Sequence, residues 1–387
     1  MFHPQWRLIG LMLGVTCVFE ACGGGGGNTT SASPPPNPLF VSAQRGSNTN
    51  LGDRDHPLRT ISDAAQLALD NYTIYVGPGT YVEPQGVTTN RTGVVPQGVA
   101  FIADTSGSLT ADPVGGPVIL DVSTGGGAGF NLSSTAGCSN ATDISCGMID
   151  GFEIKGAHDA GIVIKSGSNG FKIQNCIVHG GIGVGDGIRV QDSANVIVFN
   201  NLVYDNVGEG IGIVGNGSGS RNAQVVSNTV FGNQNYGILL GTSEAASPGA
   251  FVHNNILQNN SLSPNVADGN VKVTSSPSAR SETGYDADFN LVFDPSVYIE
   301  PAGIPHPDDL NQDALFVNQG TADFHLQTRS PAVDAGGPLS NVKTIRVTGL
   351  DAQRQSVQVS QILSSRTTTG SGDPDTNARD MGYHYPL

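Results

Sequence analysis

Charge is scarce in this sequence. Only 13% of its 387 residues are Asp, Glu, Lys or Arg, against about 25% in ordinary soluble domains. Helices that meet water on one face need those residues, so the shortage counts against a helical or α/β enzyme. Positive charge is scarcer still, with 18 Lys and Arg against 33 Asp and Glu and a net charge of −15. No basic stripe can displace phosphate counter-ions, which excludes a generic nucleic-acid binder. The apolar run LIGLMLGVTCVF at 8–19 falls short of the about 20 residues that span a bilayer as a helix. No Gly-x-Ser-x-Gly elbow occurs, the histidines lack zinc spacing, and GGGAG at 125–129 has no Lys-Ser/Thr to make it a phosphate loop. Apolar residues are nonetheless 37% of the chain, too many for a disordered one.

Residues 1–21 read as a signal peptide, with Arg7 ahead of the 8–19 run. The run ends in Phe19-Glu20-Ala21-Cys22, which resembles the bacterial lipoprotein cleavage box and implies lipidation of Cys22. Glu20 departs from the small residue usual there, and an ordinary secretory signal is the alternative. Residues 22–38, GGGGGNTTSASPPPNP after the Cys, are a flexible then stiffened tether. The expected location is outer membrane or cell surface as a lipoprotein, and otherwise periplasmic or secreted. The membrane contact is through the N-terminal lipid anchor only. Cys138 and Cys146 flank a polar loop; in an exported chain they form a small disulfide-closed loop, with two free thiols as the alternative. Cys176 sits in an apolar repeat position and reads as a buried small hydrophobe.

The middle of the chain repeats itself. GFKIQNCIVHG (170–180), NVIVFNNLVYDN (195–206), AQVVSNTVFGN (223–233) and AFVHNNILQNN (250–260) align, and each leads into a Gly-apolar-x-apolar strand. The landmark glycines Gly161, Gly187, Gly210, Gly237 and Gly269 recur at spacings of 23 to 32 residues, mostly too short for a βαβ unit of about 30 residues or more. Ile162, Ile188, Ile211 and Ile238, with Ile164, Val190, Ile213 and Leu240, alternate with polar or small neighbours. Such strands describe a coil that stacks on itself, each strand pairing with its copy one turn on. Of 30 asparagines, 17 lie within 169–270, so Asn belongs to the coil. It tolerates left-handed corners, and its amide can bond its own copy in the next turn. Asn201, Asn228 and Asn255 share one aligned corner, where Cys176 is the exception.

These repeats resemble the right-handed parallel β-helix (pectate-lyase-like) proteins. Residues 39–84 look like the N-terminal cap of that family: a strand, a loop, a helix with Thr60 and Asp63 as a capping box, and a first coil strand. Ile61, Ala64, Ala65 and Ala68 are its apolar face. Residues 148–275 are the regular coils, and 280–387 resemble the C-terminal β-rich segment of secreted members. The fold class expected is therefore an all-β right-handed parallel β-helix (solenoid) over 39–387, with a short N-terminal capping helix, acting as a monomer.

The resemblance implies polysaccharide as partner, for a lyase, a glycosidase, an epimerase or a non-catalytic adhesin. Its lyases use Ca²⁺ to neutralise a uronate and a Lys or Arg to take the C5 proton. Asp186 and Glu209 precede the landmark glycines of adjacent turns and are the candidate Ca²⁺ ligands. With Arg189 and Lys165 on the outward face they are the candidate catalytic residues, flanked by Asp159 and Asp192. Stacked carboxylates also suit a retaining glycosidase; the plainer reading is of acidic residues in solvated turns. Asp286-Ala-Asp288-Phe-Asn290 reads as a strand entry, and Asp373-Pro-Asp375-Thr-Asn377 with Asp380 as a strand entry's rival, a structural Ca²⁺ loop. Tyr204 and Tyr236 could stack on sugar rings or fill corners. The functional expectation is an exported β-helix protein that binds or acts on polysaccharide, as a Ca²⁺-dependent lyase if it is an enzyme. The alternative is a surface adhesin or structural envelope protein.

Overall fold

The computed structural model describes residues 37–89, 96–133, 147–215, 219–242, 247–264, 269–274, 286–295, 297–300, 306–338, 348–350, 356–358, 363–375 and 379–386. The signal peptide, Cys22, all but the last two tether residues, and the Cys138–Cys146 loop lie outside them. None of the described helices is long and apolar enough to cross a membrane.

Three parallel ladders wind into one coil. Among the described residues the first has nine strands, from Leu39–Val41 to Asp286–Asp288, the second eight, from Gly79–Val82 to Leu291–Phe293, and the third seven, from Phe130–Ser133 to Tyr298–Ile299. The chain visits them in the order first, second, third and then returns to the first one coil further on. The register follows the repeat: Ile188 pairs with Ile162 and Ile211, Val190 with Ile164 and Ile213, and Ile211 with Ile238. All are buried in one continuous apolar core that runs the length of the coil. Strands on both sides of the regular coils at 148–275 pair in the same ladders.

Two features set the coil's shape. The landmark glycines allow the second and third sheets to meet: a Cβ on Gly187 would stand 2.2 Å from the Val203 side chain and 2.5 Å from the Gly210 carbonyl, and Gly210 repeats this against Val230. The corner between the first and second sheets is held by asparagines. Each of Asn201, Asn228 and Asn255 offers its Oδ1 to the backbone N–H of the preceding coil, starting at Cys176, and Asn290 extends the row. A second row, Asn206, Asn233, Asn260 and Asn270, lines the corner between the second and third sheets. Buried amides in such rows satisfy backbone groups that the corners leave unpaired.

The N-terminal end is closed by α1 (Ile61–Leu67), whose Ile61, Ala64 and Ala65 are buried. Thr60 caps it as expected, accepting from the Asp63 N–H, while Glu83 accepts from the N–H groups of Ile61 and Ser62. The C-terminal segment packs on the outer face of the second sheet, where Phe316, Phe324, Leu326, Met381 and Tyr383 cover Leu202, Ile256 and Leu291. Residues 382–384 then cross successive coils. The Gly382 N–H bonds the Asn254 carbonyl, the Tyr383 N–H bonds Thr229 Oγ1, and the His384 N–H bonds Asn200 Oδ1.

Candidate functional site

The outer face of the second sheet is thus taken up by the chain itself. The candidate residues gather on the third sheet and on the turns that lead into it. Arg189 points outward between Val163 and Gly212 in the neighbouring strands. Its guanidinium folds back toward the turn of the preceding coil. There its NH2 bonds the Asp159 carbonyl at 2.9 Å and meets the Asp159 carboxylate. Its Nε lies 2.9 Å from Asp186 Oδ2, an ion-pair contact without hydrogen-bond alignment.

Asp186 opens its strand beside Ala160 and is only 8% exposed. Its Oδ1 accepts from the Glu209 N–H at 3.1 Å. Gly208 makes this possible, since a Cβ there would stand 2.0 Å from Asp186 Oδ1. Burial pushes the Asp186 carboxyl up to about 8, helped by a side-chain hydrogen bond with Glu209 and the repulsion of that second carboxylate. The Arg189 guanidinium pulls the other way and is outweighed. For Arg189 itself, burial opposes the charge, but Asp186, Asp159 and Glu209 hold it above its usual range. Glu209 is half-buried, and its Oε1 lies at 3.5 Å from Asn235 Nδ2.

Four of the expected neighbours, Asp159, Asp186, Arg189 and Glu209, therefore form one cluster spanning three coils. Lys165 stands apart. It pairs with Ser133 and Gln191 rather than Arg189, two residues further along the strand and one coil earlier. It makes no ion pair among the described residues. Asp192 is used by the backbone, accepting from the Gly219 N–H at 3.2 Å.

The donor set does not fit Ca²⁺. A cation of this kind takes six to eight oxygens at about 2.3–2.6 Å, whereas the Arg189 fork already lies between the carboxylates of Asp159 and Asp186. No group of three or more His, Cys, Asp or Glu suited to a metal occurs among the described residues.

Several other candidates have structural roles. Asp375 accepts from buried His384 at 2.9 Å, and Asp380 accepts from the Asp334 N–H and meets Thr368. These carboxylates are committed to fixing the C-terminal segment, which corrects the calcium-loop reading, although Asn377 lies outside the described residues. Asp286–Asp288 is a strand, as expected. Tyr204 stacks on His179 and packs against Phe324, and Tyr236 is buried with its hydroxyl 3.0 Å from Lys272 Nζ, so neither is a free platform. Cys176 is buried, and its thiol is pushed up to about 12 by that burial.

Sequence reasoning missed an apolar feature beside the cluster. Ten large apolar side chains are exposed among the described residues, and five of them, Ile182, Val184, Val207, Leu262 and Val297, lie in turns from the second sheet to the third. The signal was present as apolar residues inside Gly- and Asn-rich turns, where nothing in the core calls for them.

Comparison with known proteins bears on the fold. A family model described as "Right handed beta helix region" matches residues 122–279. Solved structures with similar architecture include a rhamnogalacturonan lyase, 14% identical with TM-score 0.43, over 75% of this chain and 92% of that one. A pectate lyase is 14% identical with TM-score 0.45, over 85% and 97%. The A-module of an Azotobacter vinelandii mannuronan C-5 epimerase is 16% identical with TM-score 0.36, over 65% and 94%. No curated protein matches the chain. The match covers less than half of this chain, and the fold formed by the three parallel ladders is a right-handed parallel β-helix.

Proposed function

We propose that this protein is exported, tethered through a lipidated Cys22, and acts on a polysaccharide laid across the third sheet and its leading turns. The observation that carries this reading is the Asp186–Glu209 pair. Asp186 holds a proton near neutral pH, and a second carboxylate stands one coil away. Two carboxyls whose environments differ in this way can divide acid and base roles. Asp186 is the proton donor to a glycosidic oxygen, and Glu209 is the carboxylate that faces the sugar or an attacking water. Arg189 positions Asp186 and is bound to two carboxylates, so it is poorly placed as a base. The elimination version of the reading assigns the proton-abstracting role to Lys165, which makes no ion pair among the described residues.

The test is incubation of the purified protein with a panel of neutral and uronic polysaccharides, with and without added Ca²⁺. New reducing ends and unsaturated uronate are followed separately. Reducing ends alone indicate hydrolysis, whereas unsaturated uronate indicates elimination. Either should vanish in Asp186→Ala. Polysaccharide binding without cleavage would leave the adhesin reading, and neither binding nor cleavage would sink the proposal.

A further inference from the structure

The five exposed apolar residues form a ridge along one corner of the coil. Ile182 and Val184 precede Asp186, and Val207 precedes Glu209 by two residues, as Val184 does Asp186. Their coils are adjacent: the Gly208 N–H bonds the Gly185 carbonyl at 2.9 Å. Val184 is 68% exposed and Val207 40%. Leu262, 54% exposed, and Val297, 41%, extend the line over further turns of the same corner. From the coil of Val184 to that of Val297 is four steps, about 19 Å at the spacing of parallel strands. Other exposed apolar residues, such as Leu51, Val114 and Val317, are scattered over the cap, a turn from the first sheet to the second and the C-terminal segment. Ile182, Val184 and Val207 form an exposed apolar patch on two adjacent coils, separated from Leu262 by the turn 232–237, and such a patch marks a contact site.

The charges beside the ridge indicate what touches it. Asp159, Asp186, Asp205 and Glu209 stand on this corner, against Arg189 and Lys165. Arg189 is spent on Asp159 and Asp186. Among the described residues, a uronate chain would meet the unpaired carboxylates of Asp205 and Glu209, with Lys165 and Lys272 as the cations outside any ion pair there, on a protein whose net charge of −15 repels a polyanion at long range.

We propose that the ridge binds an uncharged glycan, whose ring C–H faces or O-acyl groups rest on Ile182, Val184 and Val207 while the bond to be broken lies over Asp186 and Glu209. This rests on the polysaccharide reading above and adds the substrate class. It also makes the ridge residues determinants of specificity rather than of chemistry.

The experiment measures binding of the full chain to paired polymers: polygalacturonate against its methyl ester, and alginate against neutral glucans, mannans and xylans. Val184→Ser with Val207→Ser removes the apolar contact at two solvent-facing positions without adding charge. The expected result is preference for uncharged polymers, with binding weakened about tenfold or more in the double variant and retained in Val317→Ser, an exposed apolar position on the C-terminal segment. Preference for polyuronates would overturn this inference and leave the polysaccharide reading standing. So would binding of an uncharged polymer that the double variant leaves intact. Failure of every polymer to bind would overturn both.

Discussion

Replacing Asp186 by Asn tests the central electrostatic argument directly. The carboxyl is moved from 3.8 to about 8 by burial and by Glu209. At 1.36 kcal/mol for each tenfold change in proton affinity, that difference is worth about 6 kcal/mol. The sign follows from the direction. A folded-state value above the unfolded one contributes stability that is whole below about pH 4 and is lost as pH rises toward about 8. Asn keeps the shape and the donor toward Glu209 but cannot ionise. Near about pH 5 the two proteins should therefore be close in stability, and by about pH 9 the variant should be the more stable by several kcal/mol. With an unfolding entropy of about 2.1 cal/mol/K per residue over about 350 residues, each kcal/mol moves Tm by about 1.4 °C. The two melting curves should separate by about 5–8 °C across that range. Titrating groups remote from Asp186 are common to both proteins and cancel in the difference, whereas Glu209 and Arg189 feel its charge and contribute to it. Thermal or urea unfolding at stepped pH measures it, and curves that stay parallel from about pH 5 to about pH 9 would refute the protonated-Asp186 argument.

Gly208→Ala should damage the site while sparing the coil, because the added methyl meets Asp186 Oδ1 at 2.0 Å and the Val184 carbonyl at 2.7 Å. Loss of most activity with an unchanged far-ultraviolet spectrum is the expected result. Asn228→Ala should cost about 1–3 kcal/mol in urea unfolding, since it strands the buried Asn201 N–H and removes a second donor from the carbonyls of Val198 and Val226. A cost under about 1 kcal/mol would mean that water reaches that corner.

The coil was legible because its pattern is repeated. Ile188 and Val190 alternate as inward residues do, and the copies one turn away confirm each other through the register. The corner row of Asn201, Asn228 and Asn255 was legible for the same reason, and its bonds are those expected. The companion row at Asn206, Asn233 and Asn260 has the same spacing and went unread, because the landmark glycines after it drew the alignment. The cap showed through the Thr60 and Asp63 pattern. The site was half legible. Asp186, Glu209 and Arg189 were found from a column of residues, but their ion pairing depends on Arg189 folding back toward Asp159 in the preceding coil, a direction that no spacing encodes. Lys165 failed to join them because two outward residues on one strand stand about 7 Å apart. The exposed valines were invisible, since an apolar residue in a turn looks like one more core position until burial is known.

A stacked coil is close to one-dimensional: each turn touches only the turns before and after, so such molecules can melt from an end, one rung at a time. The closing stretch at residues 382–384 changes that. It ties Asn254, Thr229 and Asn200, on three consecutive rungs, to a single strand that lies 154 residues beyond Thr229 and 184 beyond Asn200. No rung among these three can leave without also releasing the strap, so their separate transitions are coupled into one. These residues thus act as a splint made after the rungs they bind. Until it arrives the coil can form and fray, and afterwards the splinted rungs hold or fail together.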